Sequence, residues 1–322
     1  MRYDDRIRER YEDILLARKV RATLAGLLIV VVLAAFYYAL ISVGFFAADL
    51  PTYIPSFIGA LRDFFPFLTL SFPFINPSGF VEYWTFIDER NLIWGGVGGD
   101  TPLLGEAGIT LAMGFAGTVM GFPFALLFGI LGSGRVTPFP FNFLFRGIMS
   151  SIRAIPALVW ALIYVPLGGI GPVTATLAIA TDTIGNLGRL FTDELEEIEE
   201  GPIEAMETTG ANKPQTIAFG MLSQVTTPFI AWTLYIFEIN VRIAVTLGII
   251  GGGGLGQVLV VQEGLFAFTN MMATILVILV LIISVEMFSQ RIRSYIRADH
   301  EAQGLVALIL GFPQRMAESA LK

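Results

Sequence analysis

The side chains with the most chemical potential in this 322-residue chain are a few charged and amide groups set inside long apolar runs. Glu238, Asn240 and Arg242 fall in one run, Asp182 and Arg189 in another. Glu286 lies near the end of a third, with Arg293 seven residues on. A charge inside an apolar run is costly, so each is expected to face a partner or a polar cavity. Glu238 and Arg242 are four apart on one helical face, which predicts an ion pair between them. Asn240 sits about 160° around the helix from either, at roughly 100° per residue, and is expected to face a different neighbour. Two uses fit the Glu238–Arg242 pair. It could lie beside a path through the membrane, where Arg242 helps to admit an anion, or it could simply brace a bundle. Asp182 and Arg189 share one face and suit structural contacts, as does Glu286 reaching toward Arg293. Arg153 reads as a side chain snorkelling to a membrane boundary.

Catalytic chemistry has little to work with. There is no Cys and a single His, at position 300 in a polar tail, which removes disulfides and thiolate metal sites and leaves little for zinc or Ser-His-Asp chemistry. An intramembrane enzyme would need a buried nucleophile with a base, or two acids facing each other. The apolar runs hold no His or Cys, and Asp182, Glu238 and Glu286 occur in unlike contexts. The glycine run 251–256 lacks a following Lys-Ser/Thr and is not a nucleotide-binding loop. It reads as the end of a helix. A gradient-driven carrier would need an inverted repeat with broken helices, and no such symmetry is visible.

The elements that hold these residues follow from composition. Hydrophobic residues make up 55% of the chain and charged residues 15%, against about 25% charged in a soluble domain. Mean hydropathy is +0.71. Uncharged runs at 22–43, 107–134, 154–181, 214–237, 243–262 and 264–285 are of the scale, roughly 20 residues, that crosses a bilayer. The stretch from Pro166 to Pro172 is a turn, which splits the third run into helices near 147–166 and 172–191. Pro228 suits an early helical turn, so the fifth helix is expected from about 226 to 250, with the last at about 268–289. The result is an all-α bundle of six spans.

Orientation follows from basic flanks. Arg18, Lys19 and Arg21 precede the first span and Arg291, Arg293 and Arg297 follow the last, which marks both termini as cytoplasmic, with Arg135 and Arg146 on the same side. The first span is read as retained rather than as a cleaved signal. Residues 1–21 are then a cytoplasmic helix along the membrane surface and 22–43 the first span. Residues 44–105 form an extracytoplasmic loop whose part 54–74 is interfacial or re-entrant. The core is 106–293, and 294–322 is a cytoplasmic tail with room for one short surface helix. The glycines at 114, 117 and 121 are small enough for close helix approach.

Net charge is −7, and Asp193, Glu194, Glu196, Glu197, Glu199, Glu200, Glu204 and Glu207 crowd one cytoplasmic loop. Acids so placed repel phosphate backbones, which argues against nucleic acid as a partner; the simplest reading is a solvated helical face. Within the loop 194–224, Pro202 opens a short helix and Gly210 breaks it. A second helical stretch then leads back to the membrane, giving a helix–turn–helix on the cytoplasmic face that is either a surface loop or a docking element.

That loop resembles the signature loop of ABC importer permeases, Glu-Ala-Ala, three residues, Gly, nine residues, Ile-x-Leu-Pro. Glu204, Ala205, Gly210 and Leu222 match it, while Met206, Gly220 and Ser223 replace the second Ala, the Ile and the Pro. Arg153-Ala154-Ile155-Pro156, Gly169-Ile170-Gly171-Pro172, Thr208-Thr209-Gly210-Ala211 and the stretch from Phe237 through Gly256 are similar to phosphonate-type permeases, over about 106–293. The resemblance implies a type I, MetI-like permease fold in a prokaryotic cytoplasmic membrane. It implies that the loop docks on a dimer of ATPase subunits, which bind ATP and Mg, while this chain carries no cofactor or metal. A second permease copy and an extracytoplasmic binding protein are implied as partners, with phosphonate, phosphate or phosphite as cargo. The expected coupling residues are Glu204, Ala205, Met206, Thr209, Gly210, Ala211 and Leu222; Glu238, Asn240 and Arg242 are the expected path.

Overall fold

In the computed structural model, residues 3–48, 50–68, 75–95 and 104–298 are described, and all regular structure among them is helical apart from one isolated antiparallel bridge, Leu68 to Ile75. The chain divides into two units, 1–62 and 63–322.

The first unit is dominated by α1 (Tyr3–Ser42), a continuous helix of 40 residues. A separate surface helix ending at 21 was expected, but no Gly or Pro lies between the charged segment and the apolar one, so nothing interrupts the backbone hydrogen bonding. The part Ile14–Ser42 is long and apolar enough to span. α2 (Leu50–Phe64) has 15 residues, about 22 Å of helix, which is short of a bilayer core of about 30 Å.

In the second unit, α3 (Ser78–Glu89) buries Tyr83, Phe86 and Ile87 in a cluster with Leu255, Ala273 and Val277. Burial, and secondarily the Glu82 charge, holds the Tyr83 phenol above its usual pKa; its hydroxyl donates to the carbonyl of Phe64. Then follow α4 (Gly105–Gly132), α5 (Phe141–Ala154), α6 (Ala157–Gly168) and α7 (Pro172–Glu196). Next come the short α8 (Gly201–Thr208) and α9 (Lys213–Gln215), a π-helical stretch Thr216–Met221, and α10 (Leu222–Leu247). The bundle ends with α11 (Gly254–Gly264) and α12 (Phe268–Ala298). The tail helix expected within 294–322 falls beyond residue 298, outside the described residues.

Six spans were expected. Length and apolarity support four helices, plus α5 and α6 if that pair, bent by 91°, is one broken span. The third span is therefore not a straight helix over 147–166. Ile155 and Pro156 are extended, because the residue before a proline is pushed out of the helical region. α10 begins at Leu222 rather than 226 and carries Pro228 in its interior. Membrane helices tolerate such a proline because neighbouring groups satisfy the freed carbonyl. α7 carries Asp182, Asn186, Arg189 and Asp193, which leave it less apolar than the other spans.

α7 is nonetheless the centre of the bundle, packed on α4 along most of its length and also against α5, α6 and α10. The approach of α4 requires glycine. A Cβ on Gly117 would lie 2.4 Å from Ile179 Cγ2, and one on Gly121 would lie 2.5 Å from the Ala180 carbonyl oxygen. Gly114 takes a different neighbour, Val241 of α10. The Gly251–Gly256 run does not simply end a helix; it turns the chain into α11, which was not expected. Gly254 has φ +68°, and a Cβ there would meet Thr110 Oγ1 at 2.4 Å. Thr110 Oγ1 instead accepts from the Leu255 amide at 2.9 Å.

Candidate functional site

The chemistry collects in two places, the connection from α7 to α10 and the middle of α10 itself.

In the connection, Pro202 opens α8, where its missing N–H costs nothing. Ile203 is buried with Leu195, Ile198, Met221 and Val225, which pins the underside of α8 to the bundle. Met206 rests over Gly220, where a Cβ would come to 3.4 Å from Met206 Cγ. Glu204, Ala205, Glu207 and Thr208 are exposed. Gly210, at φ +79°, ends the helix in the left-handed conformation that glycine adopts without strain. Around it, Ala211 N–H and Thr209 Oγ1 both donate to the Met206 carbonyl, at 3.2 and 2.7 Å. Asn212 and Gln215 then cap the next turn reciprocally, at 2.9 and 3.1 Å. Of the seven residues expected to couple, Glu204, Ala205, Thr209 and Gly210 are exposed, Met206 and Ala211 are half-buried supports, and Leu222 packs against the core beneath.

The acidic stretch leading into α8 is only partly a free solvated face: Glu197, Glu199 and Glu200 are exposed, but several of its acids have partners. Arg189 pairs with Asp193 at 2.9 Å, and Trp232 Nε1 donates to Glu194 at 2.6 Å. Arg146 pairs with Glu196 and also donates to the Gly132 carbonyl at 2.7 Å. Arg135 pairs with Glu200 at 2.7 Å and donates to the Glu196 carbonyl at 3.2 Å. Half-exposed pairs of this kind contribute only about 0–1 kcal/mol each, so their effect is positional. They tie the base of α8 to the α4–α5 connection. Sequence reading used Arg135 and Arg146 only as topology markers and missed this role, because their partners lie about 50 to 65 residues away.

On α10, Glu238 and Arg242 do not pair with each other. Glu238 is buried and pairs with Arg293 at 2.7 Å; Arg242 is exposed and meets Glu286 at 3.5 Å. The expected Glu286–Arg293 contact is likewise absent, since both side chains cross to α10. Helical spacing gave four compatible charges, but α12 packs against α10 and brings Glu286 and Arg293 within reach of it. Asn240 is fully buried, and its amide donates to Thr118 Oγ1 on α4 and Thr183 Oγ1 on α7, both at 2.8 Å. It therefore joins three helices. Nothing in the sequence marked Thr118 or Thr183 as its partners. Asp182 and Arg189 also find separate partners: Asp182 accepts from Asn186 at 2.9 Å, and Arg189 turns to Asp193. Among the described residues, no three His, Cys, Asp or Glu side chains gather as a metal site.

A set of apolar helices long enough to span marks a multi-pass membrane protein. The family model described as the binding-protein-dependent transport system inner membrane component matches residues 121–297, and the chain belongs to that family, as a permease subunit of an ABC importer. It is 32% identical over 207 residues to the putative phosphite transport system permease protein HtxC of Stutzerimonas stutzeri, covering 64% of this chain and 73% of that one. It is 34% identical over 193 residues to the phosphate-import permease protein PhnE of Mycolicibacterium smegmatis, covering 60% of this chain and 36% of that one. Among solved structures, an inward-facing form of the MetNI methionine ABC transporter superposes with a TM-score of 0.54 at 22% identity, covering 59% of this chain and 94% of that one. An amino acid ABC transporter solved with histidines gives 0.53 at 16% identity, covering 72% and 100%. These two likenesses concern the fold.

Proposed function

We propose that this chain carries a phosphorus oxyanion, such as phosphite, phosphate or a phosphonate, across a prokaryotic cytoplasmic membrane, driven by a separate ATPase. The observation that carries the coupling half of this reading is α8. It is anchored by Ile203 and leaves the side chains of Glu204, Ala205, Glu207 and Thr208 exposed. Such a helix suits a groove on an ATPase subunit, which would bind ATP and Mg. The cargo is supported by the names of the two relatives and by exposed arginine within the spans.

In this reading the working unit is two copies of the permease with two ATPase subunits and an extracytoplasmic binding protein. α7 is the sixth span: 25 residues give about 37 Å, enough to cross, and its polar groups face other helices. Both termini are cytoplasmic in this reading, which the arginines flanking the first and last spans support. Of the three residues expected along the path, Arg242 is the exposed one and takes the anion contact on α10, while Glu238 and Asn240 fix the orientation of that helix. The test is ATP-dependent uptake of phosphite, phosphate and a phosphonate into proteoliposomes holding permease, ATPase and binding protein. Uptake that follows an ion gradient without ATP hydrolysis would overturn the proposal.

A further inference from the structure

The bend between α5 and α6 places a second arginine in the membrane. Arg153 is the next-to-last residue of α5, and its side chain is exposed. It was expected to reach a membrane boundary. Instead it lies across α7: a Cβ on Gly185 would come to 2.9 Å from Arg153 Cγ, and Arg153 Nε donates to Asn186 Oδ1 at 3.2 Å. Asn186 in turn donates to the Asp182 carboxylate at 2.9 Å, and Asp182 is 9% exposed.

Two helices gauge the depth of this contact. α6 rises 12 residues from the bend to its far end, about 18 Å. Asn186 lies 14 residues along α7 from Pro172, about 21 Å, with about 15 Å remaining to Glu196. Both measures put the Arg153 guanidinium near the middle of a core about 30 Å thick. A cation there is not stable against lipid tails, so its exposed face must meet a water-filled path or another protein surface. A broken helix at membrane depth makes the same demand, because its freed backbone groups also need water or protein.

We infer that Arg153 is an anion contact inside the translocation path, held in place by Asn186 and Asp182. The inference rests on the oxyanion reading given above. Asn186 engages Nε, no hydrogen bond to the two terminal nitrogens occurs among the described residues, and a guanidinium fork matches the oxygens of a tetrahedral anion. Asp182 orients Asn186 and offsets part of the arginine charge. That keeps the contact weak, as a path must hold its cargo briefly. Asp182 and Asn186 are positioning residues here; they do not touch the cargo.

The absence of cysteine makes the test direct, because Arg153→Cys gives the permease a single thiol. The complete transporter is reconstituted with binding protein and probed with phosphite. Arg153→Cys and Arg153→Gln are expected to keep binding-protein-stimulated ATP hydrolysis while uptake falls about tenfold, the size expected for loss of a charge-assisted hydrogen bond. A charged, water-soluble methanethiosulfonate should label the thiol. A positively charged adduct should restore uptake, and a negatively charged one should not. Unchanged uptake in Arg153→Gln overturns the inference, and so does a thiol that the charged reagents do not reach. Rescue by both adducts, or joint loss of ATP hydrolysis and uptake, identifies a contact with the second permease copy and also overturns it. If the wild-type transporter carries phosphite and Arg153→Gln carries it equally well, this inference alone fails. If the wild type carries none of the phosphorus oxyanions, the cargo reading fails and takes the inference with it.

Discussion

Replacing Gly121 by alanine tests the packing that holds α4, α7 and α10 together. The new Cβ would sit 2.5 Å from the Ala180 carbonyl oxygen and 2.7 Å from Thr183 Cβ, against ordinary contacts of 3.4–4 Å. Backbone faces it, so no side chain can simply turn away and α7 must retreat by about 1 Å. The Asn240–Thr183 hydrogen bond, now 2.8 Å, would then stretch beyond bonding range. Overpacking costs about 1–3 kcal/mol, and a lost interhelical hydrogen bond in a membrane about 0.6 kcal/mol. Alanine recovers up to about 1 kcal/mol of helix propensity. The expected net loss is about 2 kcal/mol, a fall in Tm of roughly 4–8 °C. Gly147 supplies the control, since a Cβ there meets nothing within 4 Å. Gly147→Ala should be neutral or slightly stabilising. The measurement is a thermal melt in one detergent for both variants and for Asn240→Ala. Because Gly121→Ala already removes part of what Asn240 does, the double variant should lose less than the sum. Equal melts for Gly121→Ala and Gly147→Ala, or full additivity with Asn240→Ala, would refute the reasoning.

Other perturbations probe the ion pairs and α8. Arg293→Ala leaves Glu238 buried without its cation and should cost about 3–5 kcal/mol, whereas the paired change Glu238→Gln with Arg293→Gln should recover most of it; a melt series decides, and no recovery would mean the pair is not what matters. Gly210→Val forces a β-branched residue to φ +79°, which costs about 1–2 kcal/mol and should reduce copurification with the ATPase while leaving membrane insertion intact. Glu204→Arg, on the exposed side of α8, should weaken the same copurification with no change in melting temperature; unaltered capture would remove α8 as the docking element. Arg146→Ala unties Glu196 from the Gly132 carbonyl and should lower the ratio of uptake to ATP hydrolysis, measured in proteoliposomes, with a stability loss below about 1 kcal/mol.

Much of this protein was legible locally. Membrane residence follows from 55% hydrophobic and 15% charged residues, because solvation by lipid or water is decided residue by residue. The α8 motif was legible for a similar reason: Pro202 and Gly210 act on the backbone at their own positions, and both bound the helix as their chemistry requires. The close approach at Gly114, Gly117 and Gly121 was also visible, although which glycine met which helix was not. Proline was harder to read. Pro156 broke a span that looked continuous and Pro228 sat inside one that looked interrupted, because the cost of a proline depends on what neighbours offer its freed carbonyl.

Sequence by itself determined that the chain is an apolar helical protein, roughly where its helices run, and that a short helix interrupts them between α7 and α10. These outcomes depend on hydropathy and on backbone rules that act within one turn. Only the tertiary structure decided the partners. Glu238 chose Arg293 over Arg242, Asn240 joined Thr118 to Thr183, and two acids of the acidic stretch, Glu196 and Glu200, met Arg146 and Arg135. Spacing along one helix says which charges could meet. Which of them do meet depends on the faces that other helices bring within about 3 Å, and that is set by the packing of the whole bundle.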